Sequence, residues 1–296
     1  MMKMAPMLAV TATLWMLAAL ASPAPAAEIA LYGELDPAPL EALGHHVTVI
    51  TLADIESGAL SGFDILVAGH LLDDPAWSAA GCTALETFLD AGGGVVVEWN
   101  ATGLAVTSQG TDPWMPVPVQ CGLFAGESWD GDVVGFGTPI AVEDPLSPLV
   151  EGLSDGFDMG DGSESFVSLK NLDKNEWVVA ATFQGPSGTA PALAAARYRR
   201  HGWLVALPMD LFDAFGWGGA RETAAETVLA DALNVARWPA CNPDGSLPVD
   251  AADLAEEVRA LTDPAYAPPG PADCLPAGGL AASDLLDLVE GIFTSS

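Results

Sequence analysis

Four short apolar runs recur across the first hundred residues: 28–33 (EIALYG), 46–50 (HVTVI), 64–69 (DILVAG) and 95–99 (VVVEW). Each has the length of a strand, and glycine or a turn-forming segment bounds most of them. Helical segments separate them. Residues 39–43 (PLEAL) stop at Gly44, and residues 76–91 place Leu85, Phe88 and Leu89 on one helical face before Gly92, Gly93 and Gly94 end the run. A strand that is apolar on both sides must be buried on both sides. Apolar strands alternating with helices therefore predict an α/β fold with a mostly parallel sheet, helices on both faces and right-handed crossovers.

The second half is less regular. Residues 100–132 are rich in Gly, Pro and Trp and show no helical period, so they are expected to form a long loop over the sheet. Strands are expected again at 139–142, 166–169, 177–183, 192–198 and 203–208, with residues 199–202 (RRHG) turning a hairpin between the last two. Residues 221–237 read as a closing helix that turns Val228, Leu229, Leu233 and Val235 inward. Pro239 and Cys241 mark a boundary beyond which the pattern changes.

The beginning reads as an export signal. Lys3 is followed by an apolar, uncharged run over residues 4–20, a break at Ser22 and Pro23, and the small-x-small triplet Ala24-Pro25-Ala26. This predicts a signal peptide over 1–26, a secreted or periplasmic protein and no membrane insertion once the signal is cleaved. The chain has 40 acidic and 9 basic residues, a formal net charge of −31. Such a surface repels nucleic acid and anionic headgroups, so no nucleic-acid partner is expected. Four cysteines in an exported chain suggest two disulfides. Three connectivities are open; the preferred one pairs Cys82 with Cys121 and Cys241 with Cys274.

The run from Leu40 through His70, followed by LETFLDAGGGVVVEWN, resembles the class I glutamine-amidotransferase-like superfamily, in particular its trehalose-utilisation-type and galactosidase-trimerisation-type branches. The segments EDPLSPLVEGLS and GWLVALPMDLFDAFG also resemble those branches. The likeness covers residues 28–238 and implies a flavodoxin-like three-layer α/β sandwich over 27–239, with ligands beyond the carboxyl ends of the strands. Catalytic branches carry a nucleophilic Cys on the sharp turn after the strand that here is VVVEW. This chain has Glu98, Trp99, Asn100, Ala101, Thr102 and Gly103 at that place, with Asn100 as the expected elbow residue. An amide is no nucleophile, so the resemblance implies a domain without amidotransferase or peptidase chemistry.

Several residues remain as candidates for a site. His70 ends the third strand at the ligand-binding edge and can form a site with Asp73 and Asp74, or simply cap a loop. Glu98 ends a buried strand, where an acid either shifts its pKa and functions or bonds to backbone amides. Trp99 and Asn100 are ligand-binding candidates beside it. His45 and His46 alternate across a strand and so cannot chelate one ion; they read as a surface turn. Asp155, Asp158, Asp161 and Glu164 recur every three residues and form either a calcium loop or a chance cluster. Arg197, Arg199, Arg200 and His201 read as a solvated hairpin turn, with an anion site as the alternative. The nine tryptophans are either core or sugar-stacking platforms.

Residues 240–296 look like one unit written twice, each a loop leading into a helix. This resembles a dockerin, a calcium-loop adhesion module. In the second unit Asp273, Gly278 and Asp284 stand at loop positions 1, 6 and 12, but Leu275 and Ala277 replace ligands. The first unit keeps Asn242, Asp244 and Gly245, while an insertion at Leu247 and Pro248 displaces Asp253. The resemblance thus implies at most weak Ca²⁺ binding and no other cofactor, with a Cys241–Cys274 bridge stapling a two-helix module. An ordinary helical cap is the alternative. Taken together these features predict an exported, non-catalytic binding or assembly protein with a protein or carbohydrate partner at the cell surface or in the periplasm. A carbohydrate-active hydrolase using Glu98 and nearby loop acids is one alternative, and an oligomerisation subunit is another.

Overall fold

The computed structural model describes residues 26–71, 77–104, 106–109, 121–133, 138–145, 147–158, 165–173, 177–185, 188–199, 201–215, 219–237 and 258–259. The first four strands fall where the apolar runs are: β1 at Glu28–Tyr32, β2 at His46–Val49, β3 at Ile65–Ala68 and β4 at Gly94–Glu98. The helices among them are α1 at Ala38–Ala42, α2 at Leu52–Glu56 and α3 at Ala79–Asp90. Local capping fixes two of these boundaries. Thr51 Oγ1 accepts from the Asp54 N–H while the Asp54 carboxylate accepts from the Thr51 N–H, a reciprocal box that starts α2. Ser78 Oγ accepts from the Ala80 and Gly81 N–H groups, so α3 begins at Ala79 and not at residue 76.

Further along lie β5 at Val106–Gln109, β6 at Phe124–Val133, β7 at Ile140–Val142, β8 at Ser165–Lys170, β9 at Trp177–Gly185, β10 at Gly188–Arg197, β11 at Trp203–Leu207 and the closing helix α4 at Gly219–Ala236. Eight strands make one sheet in the order β2-β1-β3-β4-β11-β10-β9-β7. The five from β2 to β11 are mutually parallel, and β10, β9 and β7 extend the sheet antiparallel. The expected α/β class and the parallel centre therefore hold, within a mixed sheet.

Alternation along the strands sorts the core into two clusters, one on each face. Ile29, Leu31, Ile65, Val67 and Val96 join Val228, Leu229 and Leu233 of α4. Ala30, Leu66, Val95 and Val97 join Ile55 of α2 and Leu85, Phe88 and Leu89 of α3. Val95, Val96 and Val97 are at most 1% exposed. Burying such a side chain contributes about 1.5–3 kcal/mol, which is why the run VVVEW becomes the middle of the sheet.

Residues 100–132 depart from the expected loop. Trp99–Leu104 is a 3₁₀ turn, and β5 and β6 form a second, three-stranded sheet in the order β5-β6-β8. The sequence of β6, FAGESWDGDV, has low strand propensity, and its pairing comes from β8, more than thirty residues downstream. Non-local partners of this kind override propensity. The Cys82–Cys121 disulfide is present, with Cα atoms 5.1 Å apart, and it ties α3 to the chain just before β6. Cys241 and Cys274 lie outside the described residues, as do the tail positions Asn242, Asp244, Asp253, Asp273 and Asp284 and the signal segment. Among the described residues no helix is long and apolar enough to cross a membrane.

Candidate functional site

The parallel register sets Ala68 of β3 beside Val97 of β4, and Glu98 of β4 beside Leu207 of β11. Three neighbouring strands therefore end together, and the residues just after them converge: His70 after β3, Glu98 to Asn100 at and after β4, and Asp210 after β11. Close backbone packing completes the edge. Gly33, just past β1, has φ +105°, and a Cβ there would lie 1.8 Å from the Gly69 carbonyl oxygen. Only glycine tolerates that conformation and that approach.

Glu98 is fully buried. Its Oε1 accepts from the N–H of Leu211 at 2.6 Å and of Phe212 at 3.3 Å, so it holds the chain that leaves β11. Its Oε2 meets no hydrogen-bond donor and lies against Gly69, where a Cβ would come within 2.5 Å of it. Burial pushes the Glu98 pKa well above the usual carboxylate range, and the negative charge of Asp210 pushes it further. The two backbone N–H bonds pull the other way, and a carboxyl-to-carboxyl bond with Asp210 adds to the rise.

His70 Nε2 is 2.7 Å from Asp210 Oδ1 and 3.8 Å from Glu98 Oε1. The side chain of His70 is 15% exposed, that of Asp210 3%. His70 and Trp99 both adopt left-handed backbone, with φ 48° and 44°, and their rings lie 5.0 Å apart. Left-handed backbone at such residues is costly and tends to sit at functional turns. The strained elbow residue is thus Trp99, one position before the expected Asn100. Asn100 is 2% exposed, and its Oδ1 accepts from the Leu71 N–H at 2.9 Å. Thr102 Oγ1 donates to the Trp99 carbonyl at 2.8 Å. The elbow is therefore tied down by its own side chains.

His70, Glu98, Trp99 and Asn100 lie near one another at this edge. Asp73 and Asp74 lie outside the described residues. Asp210 was missed, although it follows an apolar strand as Glu98 ends one. Other candidates make contacts within the fold. His45 Nδ1 accepts from the Ala27 N–H, and His46 pairs with Glu28. Asp155 accepts from the Val142 N–H; Asp161 and Glu164 are outside the described residues. Arg199 pairs with Glu86 and Asp90 of α3, and the Arg197 guanidinium lies 5.6 Å over Trp203. Trp77, Trp99 and Trp177 are buried, which makes them core.

A solved structure of a putative ThuA-like protein from Bacteroides uniformis aligns with 73% of this chain and 94% of its own, at 15% identity and a TM-score of 0.50. The fold is ThuA-like. A second putative ThuA-like protein, from Parabacteroides merdae, aligns over 72% of this chain and 90% of its own at 12% identity and a TM-score of 0.47. The ThuA-like fold agrees with the trehalose-utilisation-type resemblance read from the motifs, at the level of fold. No protein-family model and no curated protein sequence matches the chain.

Proposed function

We propose that this chain is an exported, non-catalytic binding or assembly protein of the cell surface or periplasm. In this reading residues 27–239 form a flavodoxin-like recognition domain, and residues 240–296 a dockerin-like module. The partner is a carbohydrate or a protein. The observation that carries the proposal is the state of the elbow: Trp99 is 3% and Asn100 2% exposed, and the Asn100 amide oxygen is bonded to the Leu71 N–H. An indole and a bonded amide at the nucleophile's place support recognition over acyl transfer. One observation favours the hydrolase alternative: Glu98 has the raised pKa of a general acid. Its complete burial and its two backbone bonds favour a structural role instead.

The test incubates the full chain with a panel of soluble cell-wall polysaccharides and reads each twice. Retention on immobilised protein measures binding, and mass spectrometry of the recovered glycan measures turnover. Retention with unchanged glycan mass is the expected result. Shortened or deacylated products that vanish in Glu98→Gln would overturn the proposal in favour of the hydrolase.

A further inference from the structure

We propose that His70, Glu98 and Asp210 form a binding site for one first-row divalent cation of the Zn²⁺ type. This goes beyond the recognition function above and stands or falls separately from it. One ligand atom from each residue lies within 4.8 Å of the other two, on three different strand ends. The donor set is one imidazole nitrogen and two carboxylates. Imidazole suits Zn²⁺ and its neighbours in the row, whereas Ca²⁺ and Mg²⁺ prefer six or more oxygens.

The distances are close to what such an ion needs. Ligands about 2.0–2.1 Å from a tetrahedral centre stand about 3.3 Å from one another. His70 Nε2 is 2.7 Å from Asp210 Oδ1 and 3.8 Å from Glu98 Oε1, so one gap opens and the other closes by about half an ångström. Metal ligation requires the neutral imidazole with its lone pair on Nε2.

A second observation points the same way. Glu98 Oε2 is a fully buried oxygen with no donor, in a residue whose other oxygen is already bonded. Buried polar atoms are nearly always satisfied, and two buried carboxyls side by side repel at a cost unless they share a proton or a cation. A divalent cation between Glu98 and Asp210 removes that cost and turns their repulsion into shared attraction. The backbone already supplies rigidity: the Leu211 and Phe212 N–H groups orient the Glu98 carboxylate, and Asn100 anchors the Leu71 backbone next to His70. Those bonds are the outer support that metal ligands characteristically have. His70 is the least buried of the three, its side chain 15% exposed against 3% for Asp210 and 0% for Glu98.

The test is a Zn²⁺ titration of the chelator-stripped full chain by calorimetry and by competition with a chromogenic chelator, beside Asp210→Asn and His70→Gln. One equivalent should bind the unmodified chain, and either substitution should weaken that binding at least about 100-fold. Ca²⁺ should not compete. X-ray absorption at the zinc edge on the unmodified chain should show oxygen and a single imidazole, without sulfur. This reading holds even if a variant misfolds. No zinc binding, equal binding in both folded variants, or a sulfur-containing shell overturns the proposal. Zinc binding without glycan turnover supports both proposals, and zinc-dependent turnover lost in His70→Gln keeps the metal site while overturning the non-catalytic reading.

Discussion

Replacing the Cys82–Cys121 bridge should cost this domain a large share of its stability, and the size of the loss can be worked from the fold. The bridge spans 39 residues of sequence. That loop contains β4, the Trp99 elbow and β5, so it encloses the middle of the sheet and one side of the candidate site. In the loop-closure model a cross-link of that span removes about 4 kcal/mol of freedom from the unfolded chain. Both cysteines are only half-buried, so alanine adds little cavity cost. The variant to make is Cys82→Ala/Cys121→Ala, not the reduced protein, because reductant would also open any bridge between Cys241 and Cys274. Urea unfolding should show a stability loss of about 2–4 kcal/mol and a steeper dependence on urea, since the uncrosslinked unfolded chain exposes more surface. A loss below about 1 kcal/mol with an unchanged urea slope would refute the argument from loop closure.

Asp231→Asn should stabilise the protein at neutral pH. Burial raises the Asp231 pKa from 3.8 to about 7; the charge of Glu151 adds to the rise, and the Glu151 N–H opposes it. Between those two values the folded state holds a proton that the unfolded state has lost, so stability falls as pH rises from about 4 to about 7 and is flat above. Asparagine removes that fall, so stability from urea unfolding at pH 4 and pH 8 should converge, by on the order of 2–4 kcal/mol for this buried carboxyl. Asn100→Ala should cost about 1–3 kcal/mol by leaving the buried Leu71 N–H without its acceptor, and hydrogen exchange at Leu71 should speed up. Gly33→Ala should destabilise by more than about 2 kcal/mol, measured as a drop in melting temperature with loss of soluble yield, because its Cβ meets the Gly69 carbonyl.

How much of this was legible follows from the range of the interactions. β1, β3 and β4 were legible because burial on both faces leaves a local trace: VVVEW has almost no polar residue to place in solvent, whereas β2, a mostly exposed edge strand, showed only in its β-branched alternation. The boundary of α3 was less so, because Ser78 competes with an apolar run that starts earlier, and only the cap geometry decides. Of the second sheet only β8 was legible, as the strand expected at 166–169. β6 carries two glycines and three acids, and it becomes a strand because β5 and β8 pair with it on either side. Nothing inside residues 124–133 encodes that.

The site divides along the same line. Glu98, Trp99 and Asn100 were found because a strand end and a sharp turn are contiguous in sequence, and His70 because it ends the preceding strand. Asp210 stands 140 residues from His70, and PMDLF has no periodic or spaced signature. What brings it in is strand order: β11 lies beside β4, parallel and in register at Leu207 and Glu98. An acid three residues beyond Leu207 must then land near whatever follows β4. The same register explains the strain. Three strand ends that meet around one buried carboxylate leave little room for relaxed turns, and the left-handed residues His70 and Trp99 are the two that flank it. A cluster that crowds two acids and an imidazole, fixes each from a different strand and leaves one oxygen without a donor is costly in isolation. Filled by a cation it is favourable, which is why a search for its ligand begins with the metals.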